Sequence, residues 1–171
     1  MKSYPFWLSV ILMFVGVIVG ILFSFIIYSD ALKMRITSES IHINKDDQEK
    51  QITRSQVKAV FVDNRQVVVI DQAGREWLRE TSDIPPSKIK DAFLMHRFPW
   101  VEQDPYQQEY GLWKLEDERF SSRVNTILYE RRNAIRDGNT KKAKHLRKDL
   151  NELEVFVKDQ GEDQYVRSIK Q

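Results

Sequence analysis

The chain contains no cysteine. That excludes disulfides, thiolate zinc sites and cysteine nucleophiles, and it suits a reducing compartment. No H-E-x-x-H, G-x-S-x-G or P-loop sequence occurs, so the common metalloprotease, hydrolase and nucleotide-binding chemistries have no starting motif. His42, His96 and His145 are far apart in three different elements, a spacing that makes none of them a metal ligand. Asp46-Asp47 lacks the spacing for acid–base work. No enzyme activity, metal or cofactor is expected. Net charge is also scarce: 27 Lys and Arg face 25 Asp and Glu, leaving +2, which gives the whole molecule no strong electrostatic address.

Charge is missing altogether from Phe6 to Tyr28, FWLSVILMFVGVIVGILFSFIIY. A helix rising ~1.5 Å per residue crosses a ~30 Å hydrocarbon layer in ~20 apolar residues. The run therefore predicts a transmembrane helix, with Trp7 and Tyr28 as interfacial aromatics. Ser29 and Ala31 stand at a cleavage-like spacing, yet the run exceeds the ~7–15 apolar residues of a signal peptide. Gly16 and Gly20 form G-x-x-x-G, a pattern that lets a second membrane helix approach closely. Lys33, Arg35, Lys45 and Lys50 follow the run while only Lys2 precedes it, which predicts the soluble part on the cytoplasmic side of a cell membrane. Beyond this anchor, residues 1–30, about 140 residues remain, enough for one domain or two small ones.

The next stretch reads as strands. Lys33 to Ile43 alternates apolar and polar residues across a Thr-Ser-Glu-Ser break, and Asn44 to Lys50 is a polar loop. Gln51 to Val62 is a second strand, Asp63-Asn64-Arg65 a turn, and Gln66 to Asp71 a β-branched strand expected to be buried. After a turn at Asp71 to Gly74, Arg75 to Glu80 is a further short strand. Pro85-Pro86 breaks the chain, and Ser87 is placed to cap a helix from Lys88 carrying Ile89, Ala92, Phe93 and His96. The order of strands, closing helix and upstream anchor resembles the bacterial pleckstrin-homology-like domains, over 31–98. The resemblance does not carry phosphoinositide binding with it, because Asp46, Asp47 and Glu49 in the first loop repel phosphate.

Residues 99–115 read as a linker in which Trp100, Tyr106, Tyr110 and Trp113 can dock on either neighbour. The tail, 116–171, predicts an ααββ unit. Acids at Glu116-Asp117-Glu118 suit a helix start. Phe120, Val124, Ile127, Leu128, Arg131 and Ile135 line one face of that helix, and Gly138 stops it. Thr140 caps a second helix with Ala143, Leu146, Leu150 and Leu153 on its seam. Val155 to Lys158 and Tyr165 to Ile169 form a hairpin. The expected fold class is thus α+β: an N-terminal transmembrane helix, a pleckstrin-like β module with a closing helix, and a small ααββ domain.

From Leu128 to Arg167 the tail is similar to the C-terminal domain of cysteinyl-tRNA synthetase. The matching residues are Arg131, Ala134, Ala143, Leu146, Arg147, Leu150, Leu153, Val155, Val157, Asp159, Gly161 and Arg167. Lys144, Glu154 and Ile135 depart from the family, which has Asp, Gly and a basic residue there, and Tyr165 stands near its usual Trp. That domain contacts the anticodon region of tRNA, and the catalytic parts of the synthetase have no counterpart here. Anchor, middle and tail together resemble the YqeB family of bacterial proteins, whose members tend to carry a pair of membrane helices where this chain shows one run.

Arg119 to Lys148 holds 10 basic residues against Glu130 and Asp137. The expected anion- or RNA-binding residues are Arg123, Arg132, Arg136, Lys141, Lys144, Arg147 and Lys148, with Tyr165 to stack on a base. Arg119 and Lys142 belong to the same basic stretch. The functional expectation is a membrane-anchored binding protein whose tail contacts RNA. The alternative is a membrane adaptor that docks a protein or meets an anionic lipid surface.

Overall fold

The computed structural model describes residues 7, 10–11, 13–17, 33–45 and 48–169. The fold is α+β, and the expected fold class is corrected in its first element: no helix among the described residues is long and apolar enough to cross a membrane. Helix is described at residue 7, at 10–11 and at 13–17. The rest of the apolar run, Gly20 included, lies outside the described residues. The expected single-pass span is corrected with that first element. Gly16 itself is exposed, with nothing within 4 Å of where a Cβ would sit.

The chain divides into two compact units, Met1–Ile52 and Thr53–Gln171. The first holds β1 (Lys33–Ile36), β2 (Ser40–Lys45) and all but the last residue of β3 (Gln48–Thr53), in the order β1-β2-β3. The Thr-Ser-Glu-Ser break is a hairpin turn: the Thr37 amide donates to the Ser40 carbonyl at 2.9 Å and the Thr37 hydroxyl accepts from the Ser40 amide at 3.0 Å. Met34 then faces Ile43 and Ile36 faces Ile41 across the antiparallel pair.

The second unit begins with a meander, β4 (Val57–Asp63), β5 (Gln66–Asp71) and β6 (Glu76–Thr81). Asn64 and Arg65 both take positive φ, 46° and 65°, the backbone of a two-residue hairpin whose twist matches its strands. Val67 to Ile70 are buried on both faces of the sheet, as the β-branched run requires. Ala59, Phe61, Val68 and Ile70 pack on Val101 and Tyr106. Helix α1 (Pro86–Met95) buries Ile89 and Phe93. It starts on Pro86 with Pro85 as the flanking residue, and not through a Ser87 cap, because proline's fixed φ suits the first helical position. Past α1 the chain lies parallel to β4: the Val60 amide donates to the Pro99 carbonyl and the Val101 amide to the Val60 carbonyl, each at 2.9 Å.

The tail is an ααββ unit extended by a linker strand. It comprises α2 (Ser122–Arg136), α3 (Thr140–Glu152), β8 (Val155–Gln160) and β9 (Asp163–Ser168), with β7 (Gly111–Leu112) added to give the sheet order β7-β9-β8. Trp113, from the expected linker, joins Val124, Leu128, Leu150, Val155, Val157 and Val166 in one core. Two helix starts differ from expectation. Glu116 has φ 57°, which no right-handed helix accommodates, so α2 begins after Ser121, whose hydroxyl accepts the Val124 amide. The Asn139 side chain, and not Thr140, accepts the Lys142 amide at 3.0 Å to cap α3.

Glu154 turns the chain from α3 into β8 at φ 57°. A side chain in that left-handed region costs about 1–2 kcal/mol that glycine avoids. Glu154→Gly should therefore raise the unfolding free energy by about 1 kcal/mol in urea titrations; a loss of stability would show that the carboxylate matters more than the backbone strain.

Candidate nucleic-acid interface

The basic residues of the tail sort into an inner and an outer set according to the faces of two helices. On α3, Ala143, Leu146 and Leu150 are buried, so Arg147, four residues after Ala143 and three before Leu150, falls on the covered stripe. Its Nη2 donates to Asp159 and to the Val157 carbonyl, both at 3.0 Å. Burial, then the neighbouring Arg131 charge, pushes its pKa below the usual arginine value. Arg131, on the same buried stripe of α2 as Val124 and Leu128, is only 3 % exposed. Its Nη1 and Nη2 donate to the two Asp159 oxygens at 2.6 and 2.7 Å, and Nη1 also donates to Gln164 at 2.7 Å. Gln164 returns an N–H to the Leu128 carbonyl at 2.9 Å. Asp159 thus serves two inward arginines from two helices. Burial alone drives its pKa upward, but the hydrogen bond and charge of Arg131, with Arg147 and Arg79 beyond, outweigh it and leave the carboxyl below its ordinary 3.8.

A second ionic cluster ties the tail to the β4–β6 sheet through the linker. Arg79 donates to Glu76 at 2.8 and 3.0 Å and to Asp63 at 3.1 Å. Lys158 of β8 lies 3.3 Å from Asp63 and 2.5 Å from Asp104. The Tyr110 hydroxyl donates to Glu76 at 2.8 Å, and burial, with the Glu76 charge, pushes its pKa up. Arg167 of β9 donates to the Gly74 carbonyl at 2.8 Å under the rings of Tyr106, Phe156 and Tyr110, 4.2, 4.9 and 5.6 Å away. Gly74 allows this contact: its φ is 84°, and a Cβ there would meet the Tyr106 hydroxyl at 2.8 Å.

The outer set is smaller than the sequence suggested. Lys141, Lys144 and Lys148 are exposed at i, i+3 and i+7 on α3, one stripe opposite the buried one, and none forms an ion pair among the described residues. Lys142 is paired with Glu130 at 3.3 Å. Arg123 is exposed but stands nine residues before Arg132, about two and a half turns, on the opposite side of α2. Arg136 is exposed and 3.3 Å from Glu162. Arg132 is half-buried over the rings of Trp113 and Tyr129, at 5.1 and 5.6 Å. Tyr165, expected to stack on a base, is half-buried on the central strand β9, facing Leu112 and Lys158 across its two ladders. The structure therefore gathers three of the expected residues, Lys141, Lys144 and Lys148, into one free basic stripe and takes Arg147 out of it. The sequence missed Tyr129 and the inner network of Glu76, Arg79, Asp104, Lys158 and Gln164; the seam periodicity was the available signal only for Arg131 and Arg147.

A family model described as the YqeB-like bacterial PH domain matches residues 2–101. A model described as the cysteinyl-tRNA ligase anticodon binding domain matches residues 117–167. The chain is 27% identical over 160 residues to "Uncharacterized protein YqeB" of Bacillus subtilis (strain 168), an alignment that takes in 93% of this chain and 67% of that protein. No solved structure matches.

The inner network makes a pH prediction. Asp159 and Asp63 both have folded pKa values below the ordinary 3.8, in Asp63 because Lys158 and Arg79 outweigh burial. Their contribution is complete above that ordinary value and drains as pH falls through the lower folded values. Asp159→Asn should lose on the order of 3 kcal/mol at neutral pH by leaving Arg131 and Arg147 without a counter-charge. It should also flatten the acid limb of a urea-stability profile between about pH 5 and pH 2. An unchanged acid limb would remove Asp159 from this role.

Proposed function

We propose, because the chain belongs to the YqeB-like bacterial PH domain family, that it is a non-enzymatic binding protein whose C-terminal domain takes an RNA of the tRNA class. The observation that carries this reading is the free stripe of Lys141, Lys144 and Lys148 on a domain similar to one named for anticodon binding. Lysines on an exposed helix face act on phosphates as point charges and carry no base information. With Arg147 turned into the fold, the lysine stripe meets the phosphates of the ligand.

A protein-docking scaffold is the second reading. It draws on Ile84, just before α1, and on Leu94 and Met95 at its end, which are 53%, 48% and 77% exposed, large apolar side chains left open to water.

The discriminating experiment uses the full chain, since Lys158, Arg167 and Tyr110 join the tail to the sheet. Filter binding to tRNA across a salt series should give a steep dependence of affinity on salt. Replacing Lys141, Lys144 and Lys148 together by alanine should reduce the slope of log K against log salt by about 2–3. No binding of tRNA at low salt would remove the RNA reading and leave the scaffold.

A further inference from the structure

Five arginines of the second unit are buried or half-buried: Arg79, Arg131, Arg132, Arg147 and Arg167. Four of them donate to oxygen, to Glu76 and Asp63, to Asp159 and Gln164, to Asp159 and Val157, and to Gly74 respectively. Arg132 differs. Among the described residues it meets no acceptor and no carboxylate, only the Trp113 and Tyr129 rings; its Nε is buried without a partner, as in Arg131, Arg147 and Arg167, but those three spend their Nη groups on oxygen. Ring faces attract a guanidinium electrostatically but accept little from its N–H groups. A partly desolvated guanidinium with unspent donors is costly to keep. Its planar fork, held by two rings, is ready-made for an oxyanion.

Tyr129 stands three residues before Arg132 and Arg136 four residues after it, so all three share one stripe of α2. Tyr129 is 44% exposed. Among the described residues Arg136 pairs with Glu162, itself exposed, a pair weak enough to exchange for a phosphate. The stripe thus sets an aromatic ring, a ring-mounted guanidinium and a second guanidinium in sequence along one helix.

We propose that Tyr129, Arg132 and Arg136 form a subsite for an unpaired nucleotide, its base on the Tyr129 ring and its phosphate on Arg132, with Arg136 on the next phosphate. The inference rests on the RNA reading above and deepens it: the ligand is a single-stranded segment, because a base in a duplex has its faces covered by its neighbours and cannot lie on a ring. A carboxylate ligand would use Arg132 and leave Tyr129 without a role.

The test is fluorescence anisotropy of the full chain with a labelled single-stranded RNA dodecamer and with the same dodecamer in a duplex. Tyr129→Ala should weaken single-strand binding on the order of ten-fold with an unchanged salt slope. Tyr129→Phe should restore it, and neither should alter duplex binding. Arg132→Lys should also weaken the single strand, the ammonium lacking the planar fork. Because Arg132 touches the core residue Trp113, thermal melting accompanies that variant, and the exposed Tyr129 variants stand as the test if it unfolds. Unchanged single-strand affinity in Tyr129→Ala overturns the subsite, as does an equal loss on the duplex. Displacement of the RNA by oligoglutamate, with Arg132→Lys weakening that peptide too, overturns it in favour of a carboxylate receptor. The parent reading fails separately, through alanines at Lys141, Lys144 and Lys148 that leave affinity and salt slope untouched.

Discussion

Asp159 is the charge on which the tail depends. It sits on β8 and accepts from Arg131 of α2 and Arg147 of α3, so a single carboxylate pins both helices to the hairpin. Two buried guanidinium groups side by side repel each other, and neither is tolerable in an apolar core without a counter-charge. Helix spacing, hairpin position and the orientation of Gln164 are all constrained to keep that carboxylate in reach. The apolar core formed by Leu128, Leu150, Val157 and Val166 supplies the larger burial. It is non-directional, and the ion cluster is what selects one register of helix on strand.

This arrangement changes what the resemblance to the synthetase domain conveys. Arg131, Arg147, Asp159 and Arg167 carry that resemblance, and every one of them is spent inside the molecule. The shared residues are the frame. The departures bear this out in part: Glu154 takes the backbone conformation that explains a glycine in the family, while Lys144 puts a positive charge on the outer stripe of α3. The side chains left open to solvent on α2 and α3 are accordingly outside the shared set.

Elements with a strong period were legible: the β-branched β5, the seams of α2 and α3, and the closing hairpin. The helix starts were misplaced where side-chain chemistry competes with backbone geometry. Acids at residues 116–118 looked like a favourable first turn, but Asp117 is engaged by Arg119 and Glu116 lies in the left-handed region. The apolar run at the amino end reads as a span from its length, its lack of charge and its flanking aromatics, whereas no helix among the described residues is long and apolar enough to cross a membrane. Among the candidate residues, composition said "basic" and could not say which basic residues were already neutralised. Arg147 betrayed its inward direction only by its phase against Ala143 and Leu150. Tyr129 gave no such signal, because an aromatic on the outer side of a helix has no periodic partner to mark it.

The stretch 99–115, which reads as a linker, has no slack. It runs along β4, lends Tyr106 to one sheet and Trp113 to the other core, and is crossed by Lys158 and Arg167. A load applied to the α2–α3 pair is consequently borne by β4–β6 as well. The tail is less like a hook on a cord than like the handle of a key, and a torque on its helices is passed through these contacts to strands β4–β6.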